Sequence, residues 1–163
     1  MAELTTLEEK LAEVIGLAQA AQGATEKVEG LVDDDEIAQK LQQMRSEAEE
    51  TEKRGTELAD SRDGKKTAIL DKAQETKSEA TEMMQTYLGG DDVDGLDGFE
   101  FMVMAEAGEV GHWRVLGKLN EKAGESEISE LVEWALPIQE RHFSEVNDCA
   151  LELAADEDPY EVS

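Results

Sequence analysis

The chain has 163 residues, enough for one domain with a buried core. It carries 41 Asp and Glu against 15 Lys and Arg, a formal net charge of −26, and that field argues against nucleic acid and anionic lipid as partners. The only cysteine is Cys149, which excludes an internal disulfide and fits a reducing compartment. Aromatic residues are 4% of the chain and prolines number two, while Ala, Glu, Leu, Lys and Gln dominate, which is the composition of long helices. The N-terminal MAELTTLEEKL has no basic stretch followed by an apolar core, and no window approaches the ~18–20 apolar residues of a membrane span. The expectation is a cytoplasmic protein with no membrane partner. Its acid excess either serves solubility or reflects a high-salt cytoplasm that screens the repulsion.

Helical spacing organises the whole chain. Leu7, Leu11, Val14, Ala18, Ala21, Thr25 and Val28 form one stripe, which predicts a first helix from about Thr6 to Val32. Thr5 and Thr6, with Glu8 and Glu9 just inside, supply its N-terminal cap. Asp33 to Asp35 breaks the stripe and caps a second helix, marked by Ile37, Leu41, Met44, Ala48, Thr51 and Leu58. A turn over 61–64 leads to a third helix carrying Ile69, Ala73, Thr76, Ala80, Met83 and Tyr87. The sequence GGDDVDGLDG, residues 89–98, reads as a loop before a fourth, apolar helix. Lys122 followed by Gly124 ends that helix, and Ser126, with Ser129 and Glu130 nearby, caps a fifth reaching about Ala155. Residues 156–163 form an acidic, frayed tail containing Pro159. Short turns favour antiparallel packing over an extended coiled coil, which gives one all-α domain over residues 1–155.

The chemistry concentrates in FEFMVMAEAGEVGHWRVLGKL, residues 99–119, where Glu106, Glu109 and His112 fall among large apolar side chains. In a helix, Met102, Glu106, Glu109 and Trp113 share one stripe. A carboxylate facing a core loses its hydration, at a cost of several kcal/mol unless a metal, a cation or a proton compensates. The fifth helix repeats the anomaly with Ile128, Leu131, Ala135, Ile138, His142, Glu145 and Cys149 on one stripe. Counting equal distances from the turn near Gly124 sets Glu106 opposite residues near His142, and Glu109 opposite residues near Gln139.

Carboxylates and imidazole on facing helices suit iron or manganese. A complete two-metal set has Glu-x-x-His on two helices and a single Glu on two others. Here Glu109-x-x-His112 is intact, and the fifth helix has Gln139-x-x-His142 with Glu140 and Glu145 close by. Gln19, Gln22, Glu47 and Glu50 lie at comparable heights on the first two helices, off the apolar stripes. Glu47 and Glu50, inside SEAEETEK, read as a solvated face. The candidate ligands are therefore Glu106, Glu109, His112, Glu140, His142 and Glu145. The competing reading makes them a hydrogen-bonded core network in a non-catalytic structural or interaction protein. Pro137 predicts a kink in the fifth helix, and Cys149, with no basic neighbour, reads as inert. No phosphate loop, zinc spacing or nucleophile with a placed base is present.

EAEETEKRGTEL (Glu47–Leu58), GKK (Gly64–Lys66) and AEAGEVGHW (Ala105–Trp113) resemble segments of the ferritin-like, stress-associated proteins of the YciE/YciF type. The likeness in layout covers most of residues 3–155. WALPIQERHF, with Glu140 and His142 as its polar members, is similar to the last helix of other bacterial ferritin-like proteins. The resemblance implies a ferritin-like antiparallel four-helix bundle with an additional helix in the crossover. It also implies a homodimer or higher homo-oligomer, iron or manganese at core carboxylates, and metal-dependent oxidase or peroxide chemistry in oxidative or general stress. Glu106 and Glu109 match that family's pair of acids three apart, whereas Arg54 stands near the place of its second-helix histidine.

Overall fold

The protein was analysed as a computed structural model that describes residues 2–162; Met1 and Ser163, the last residue of the acidic tail, lie outside the described residues. Five helices account for most of the chain: α1 (Thr6–Glu29), α2 (Asp35–Asp60), α3 (Lys66–Leu88), α4 (Gly95–Ala123) and α5 (Ser126–Ala155). No strand occurs among the described residues, and no helix among them is long and apolar enough to cross a membrane.

Side-chain chemistry sets most helix ends as expected. Thr5 and Glu8 form a reciprocal capping box at the start of α1, and Asp34 accepts from the backbone N–H groups of Glu36 and Ile37 at the start of α2. The boundaries differ in two places. First, α1 stops at Glu29 rather than Val32, and α4 begins at Gly95, inside the segment expected to be a loop, with Asp94 and Asp97 as its capping box. Gly95 and Gly98 are there for space: a Cβ on either would come within about 3 Å of the α1 end, at Val32 and Val28 respectively. Second, Ser126 lies inside α5 rather than at its cap, and Glu125 in the capping position makes no side-chain cap bond. Asn120 holds this turn instead, accepting from the Glu125 N–H at 3.1 Å and donating to the Glu125 carbonyl at 2.9 Å and to Ser129 Oγ at 2.8 Å. Pro137 lies inside α5 and is exposed to solvent.

Helices α1, α2, α5 and α4 pack in that order around a closed ring, each antiparallel to its neighbours, and α3 lies against the outer side of α1. Helix α1 is therefore buried on two faces. Leu11, Val14, Ala18, Ala21 and Val28 face the ring, as the stripe predicts, while Ala12, Ile15 and Gly16 are buried as well. Gly16 is what lets α3 approach, because a Cβ there would stand 2.3 Å from the Ala73 carbonyl oxygen and 2.8 Å from Thr76 Cβ. Gly55 plays the same part between α2 and Ile15, whose Cγ1 would lie 2.6 Å from an added Cβ.

The apolar interior falls into two clusters at opposite ends of the bundle. One is built on Leu11, Ile15, Ile69, Trp113, Leu116 and Ile128, the other on Val28, Leu41, Met44, Phe99, Met102 and Val146. Between them lies the level of Glu106, Glu109, Gln139 and His142, the polar layer that the sequence places in the core. Residues 156–162 follow α5 as an exposed, non-helical tail with an Asp158–Tyr160 turn.

The Gly16 contact yields a direct test. Because the clash is with helix backbone, Gly16→Ala should lower stability by about 1–3 kcal/mol despite the better helix propensity of Ala. Urea unfolding followed by circular dichroism reads this, and an unchanged or raised midpoint would show that α3 is not closely seated on α1.

Candidate metal centre

Glu106 and Glu109 stand one turn apart on the buried face of α4, 1% and 4% exposed. The carboxylates have no Lys or Arg partner among the described residues; the nearest ring nitrogen, His142 Nδ1, is 4.0 Å from Glu106 Oε2. Two positions facing them on α5 supply the rest of the layer, and both are buried. The Gln139 amide lies 3.1 Å from Glu106 Oε2 and 3.1 Å from Glu109 Oε2, and with its NH2 turned inward it donates to both carboxylates. The register counted from the Gly124 turn is therefore the register observed: Glu109 meets Gln139, and Glu106 meets His142.

On its other side His142 meets an acid from a third helix. Its Nε2 is 3.2 Å from Glu47 Oε1, and Arg141 pairs with the second oxygen of the same carboxylate. With the Nε2 proton donated to Glu47, the neutral ring keeps its Nδ1 lone pair facing Glu106. Glu47 was expected on a solvated face. It is half-buried and reaches inward from the flank of α2, a correction that the acid run SEAEETEK concealed.

The other candidate residues are placed elsewhere. His112, on the same helix as the acid pair, donates from Nδ1 to the Gly108 carbonyl at 2.8 Å, and its Nε2 is 3.6 Å from Glu13 of α1. Glu140 is exposed and pairs with Arg114 at 3.2 Å, and Glu145 pairs with Arg141 at 3.4 Å. Gln19 and Gln22 of α1 turn to Glu52, at 3.4 and 2.7 Å, rather than to the acid pair. Arg54 stacks over Trp134, 4.1 Å from the ring centroid, and pairs with Glu50. No group of three or more His, Cys, Asp or Glu arranged to hold a metal ion occurs among the described residues. The cluster is instead two carboxylates, one imidazole and one amide.

Burial governs its protonation. Desolvation pushes the Glu106 carboxyl up to about 8, and desolvation together with the Glu106 charge pushes Glu109 well above the usual carboxylate range. Desolvation also lowers the His142 imidazole, opposed by its bond to Glu47. Burial raises the Cys149 thiol as well, which agrees with an inert cysteine.

No family model, curated protein or solved structure matches this chain.

A pH dependence follows for protein kept free of metal by chelator. Folded Glu106 holds its proton up to about pH 8, whereas the unfolded carboxyl releases it near 4.5. The folded state binds the extra proton in that window, so this group's contribution to stability falls as pH rises through it. His142 has the opposite sign, but its effect is complete by the unfolded value of 6.5. At constant molar chloride, the melting temperature should therefore fall from pH 6.5 to 8.5, Glu106→Gln should reduce the fall, and Glu109, raised in the same direction, should supply part of the remainder. An equal decline in wild type and in the double variant Glu106→Gln/Glu109→Gln would assign it to general charge repulsion.

Proposed function

We propose that this chain is a ferritin-like helical bundle that binds one iron or manganese ion at Glu106, Glu109 and His142. The observation that carries the reading is the pairing on the two sides of His142. Metal-bound histidines characteristically give their second ring N–H to a carboxylate, which fixes the tautomer and aims the other nitrogen at the ion. Glu47, 3.2 Å from Nε2 and anchored by Arg141, stands where that carboxylate belongs, while Nδ1 faces the buried acids.

The three donors are not drawn together around an ion position among the described residues, so binding requires them to close on the ion. Oxygen and nitrogen ligands lie about 2.0–2.2 Å from such metals, so two donors sharing one ion stand roughly 3–4 Å apart. The Gln139 amide is 3.1 Å from each carboxylate, and Nδ1 is 4.0 Å from Glu106. An amide has both polarities. Its NH2 satisfies the two carboxylates when no cation is present, and its carbonyl oxygen, turned inward, adds a third oxygen donor. Oxygen-rich sets with one imidazole suit manganese and iron. A second ion has no comparable ligands, since His112, Glu140 and Glu145 are engaged elsewhere and α1 offers glutamines. A bound iron or manganese ion supplies a site for oxygen or peroxide chemistry. The chain's own part is to hold the ligands in a dry interior and to balance their charge.

The ferritin-like reading is supported by the ring of four antiparallel helices with α3 in the crossover. The stress-associated role is what the sequence resemblance implies. The competing reading, a non-catalytic structural or interaction protein, draws on the inward-facing Gln139 NH2, which satisfies the acid pair without any metal.

Anaerobic addition of iron(II) or manganese(II) should raise the melting temperature in proportion to loading, because an ion bound only by the folded state stabilises it. Glu109→Gln should abolish the shift while leaving the bundle folded. Glu47→Gln should weaken metal binding roughly 10–100-fold, as the loss of a carboxylate behind a ligating histidine does elsewhere. Wild-type protein that shows neither stoichiometric binding nor a shift, with Glu109→Gln neutral or stabilising, decides for the structural reading.

A further inference from the structure

A cavity of about 220 Å³ lies between α1, α3 and α4, on a different side of the acid pair from Gln139 and His142. Short side chains make it: Ala20, Ala21 and Ala24 on α1 and Ala80 on α3 leave space that Met84 and Met102 only partly fill. Met83 and Met104, 56% and 46% exposed, stand at its edge. Its lining is otherwise apolar except for Thr81, His112, Glu106 and Glu109.

Gly108 lies at the solvent-exposed rim of this space and adds no side chain to it. It lies in the middle of α4, where glycine costs roughly 1 kcal/mol relative to alanine. At Gly16 and Gly55 that cost is offset by close helix approach, but an added Cβ on Gly108 would meet nothing within 4 Å. The residue lines the cavity, and its carbonyl accepts the His112 Nδ1 proton. Among the described residues no Lys or Arg lines the cavity. The polar groups facing it include two buried carboxyl groups whose only cross-helix hydrogen-bond donor among the described residues is the Gln139 amide, inside a protein of net charge −26.

We infer that this cavity binds a small molecule with an apolar body and one cationic nitrogen, its ammonium head at Glu106 and Glu109 and its body against the methionines and alanines. Three N–H donors on an ammonium match the acceptors present, and desolvation of the acids is offset by the opposite charge. An anionic head is repelled by either acid once ionised, and a neutral head brings no charge to offset that ionisation. At ~30 Å³ per non-hydrogen atom, the share of a water molecule, the space holds about seven such atoms, smaller than a drug-sized pocket. The inference goes beyond the metal reading and does not require it. A metal ion and an ammonium head compete for the same carboxylates.

Hexylamine, with hexanol and hexanoate as matched probes, tests this by calorimetry on metal-free protein. Hexylamine should bind at one site per chain, at least tenfold more tightly than hexanol, with hexanoate showing no binding. Glu109→Gln should reduce hexylamine affinity tenfold or more. Gly108→Leu, which fills open space and favours helix, should remove binding while the protein melts cooperatively. Saturating manganese should weaken hexylamine binding. Equal affinity for hexanol and hexylamine, or hexylamine binding unchanged by Gly108→Leu, would overturn the inference. Manganese binding without any hexylamine binding removes this inference alone, and hexylamine binding without manganese binding removes only the metal reading.

Discussion

Two carboxylates taken out of water on one face of one helix, with no Lys or Arg partner among the described residues, are the constraint around which this bundle is arranged. Removing a charge from water costs several kcal/mol after relaxation, so such a pair persists only with a proton, a cation or strong hydrogen bonds. The chain itself provides the first and the third. Burial raises both acids into a range where a proton is retained. The Gln139 amide lies within hydrogen-bond distance of both, and a histidine braced by Glu47 and Arg141 stands beside them. Each support comes from a helix other than α4, so the acid pair depends on the tertiary fold and cannot form locally.

The surrounding architecture fixes those partners in register. Asn120 staples the α4–α5 turn through bonds to Glu125 and Ser129, and from there equal counting brings Glu109 to Gln139 and Glu106 to His142. Helix α2 is set against α5 by Glu47–His142 and, about two turns away, by the stacking of Arg54 on Trp134. Helix α1 carries neither ligand nor partner of the acid pair, yet it is the most enclosed helix of the bundle because α3 packs on it through Gly16. That second layer screens one side of the centre and, through its alanines and methionines, leaves the cavity that reaches Glu106 and Glu109.

The helices were legible because apolar residues repeat at helical spacing, and the acid pair because Glu106 and Glu109 interrupt an apolar stretch where solvated acids have no place. The register of α4 against α5 was legible because a short turn leaves no freedom. Other features were hidden for physical reasons. Glu47 reaches inward from the edge of its helix with a long side chain, so its local neighbours resemble a solvated face. Gln139 looked like a missing acid, whereas an amide whose NH2 donates to both is what two crowded carboxylates require. His112 satisfied the Glu-x-x-His spacing, but its own helix supplies a nearer partner in the Gly108 carbonyl. Glu140 lies one position from Gln139 and so turns to solvent and Arg114. Gly95 and Gly98 carry the composition of a loop, and only the proximity of α1 reveals that they serve close packing.

The central claim is that the desolvated acid pair of α4 is completed by a metal ion, with His142 as its nitrogen ligand. Anomalous diffraction at the manganese edge, from crystals grown with manganese(II), tests it most directly. The account predicts one strong peak per chain within bonding distance of Glu106, Glu109 and His142 Nδ1, with the Gln139 carbonyl oxygen turned inward and Nε2 still on Glu47. Crystals with no peak at this position, and with the Gln139 NH2 donating to both carboxylates at full manganese concentration, would contradict it.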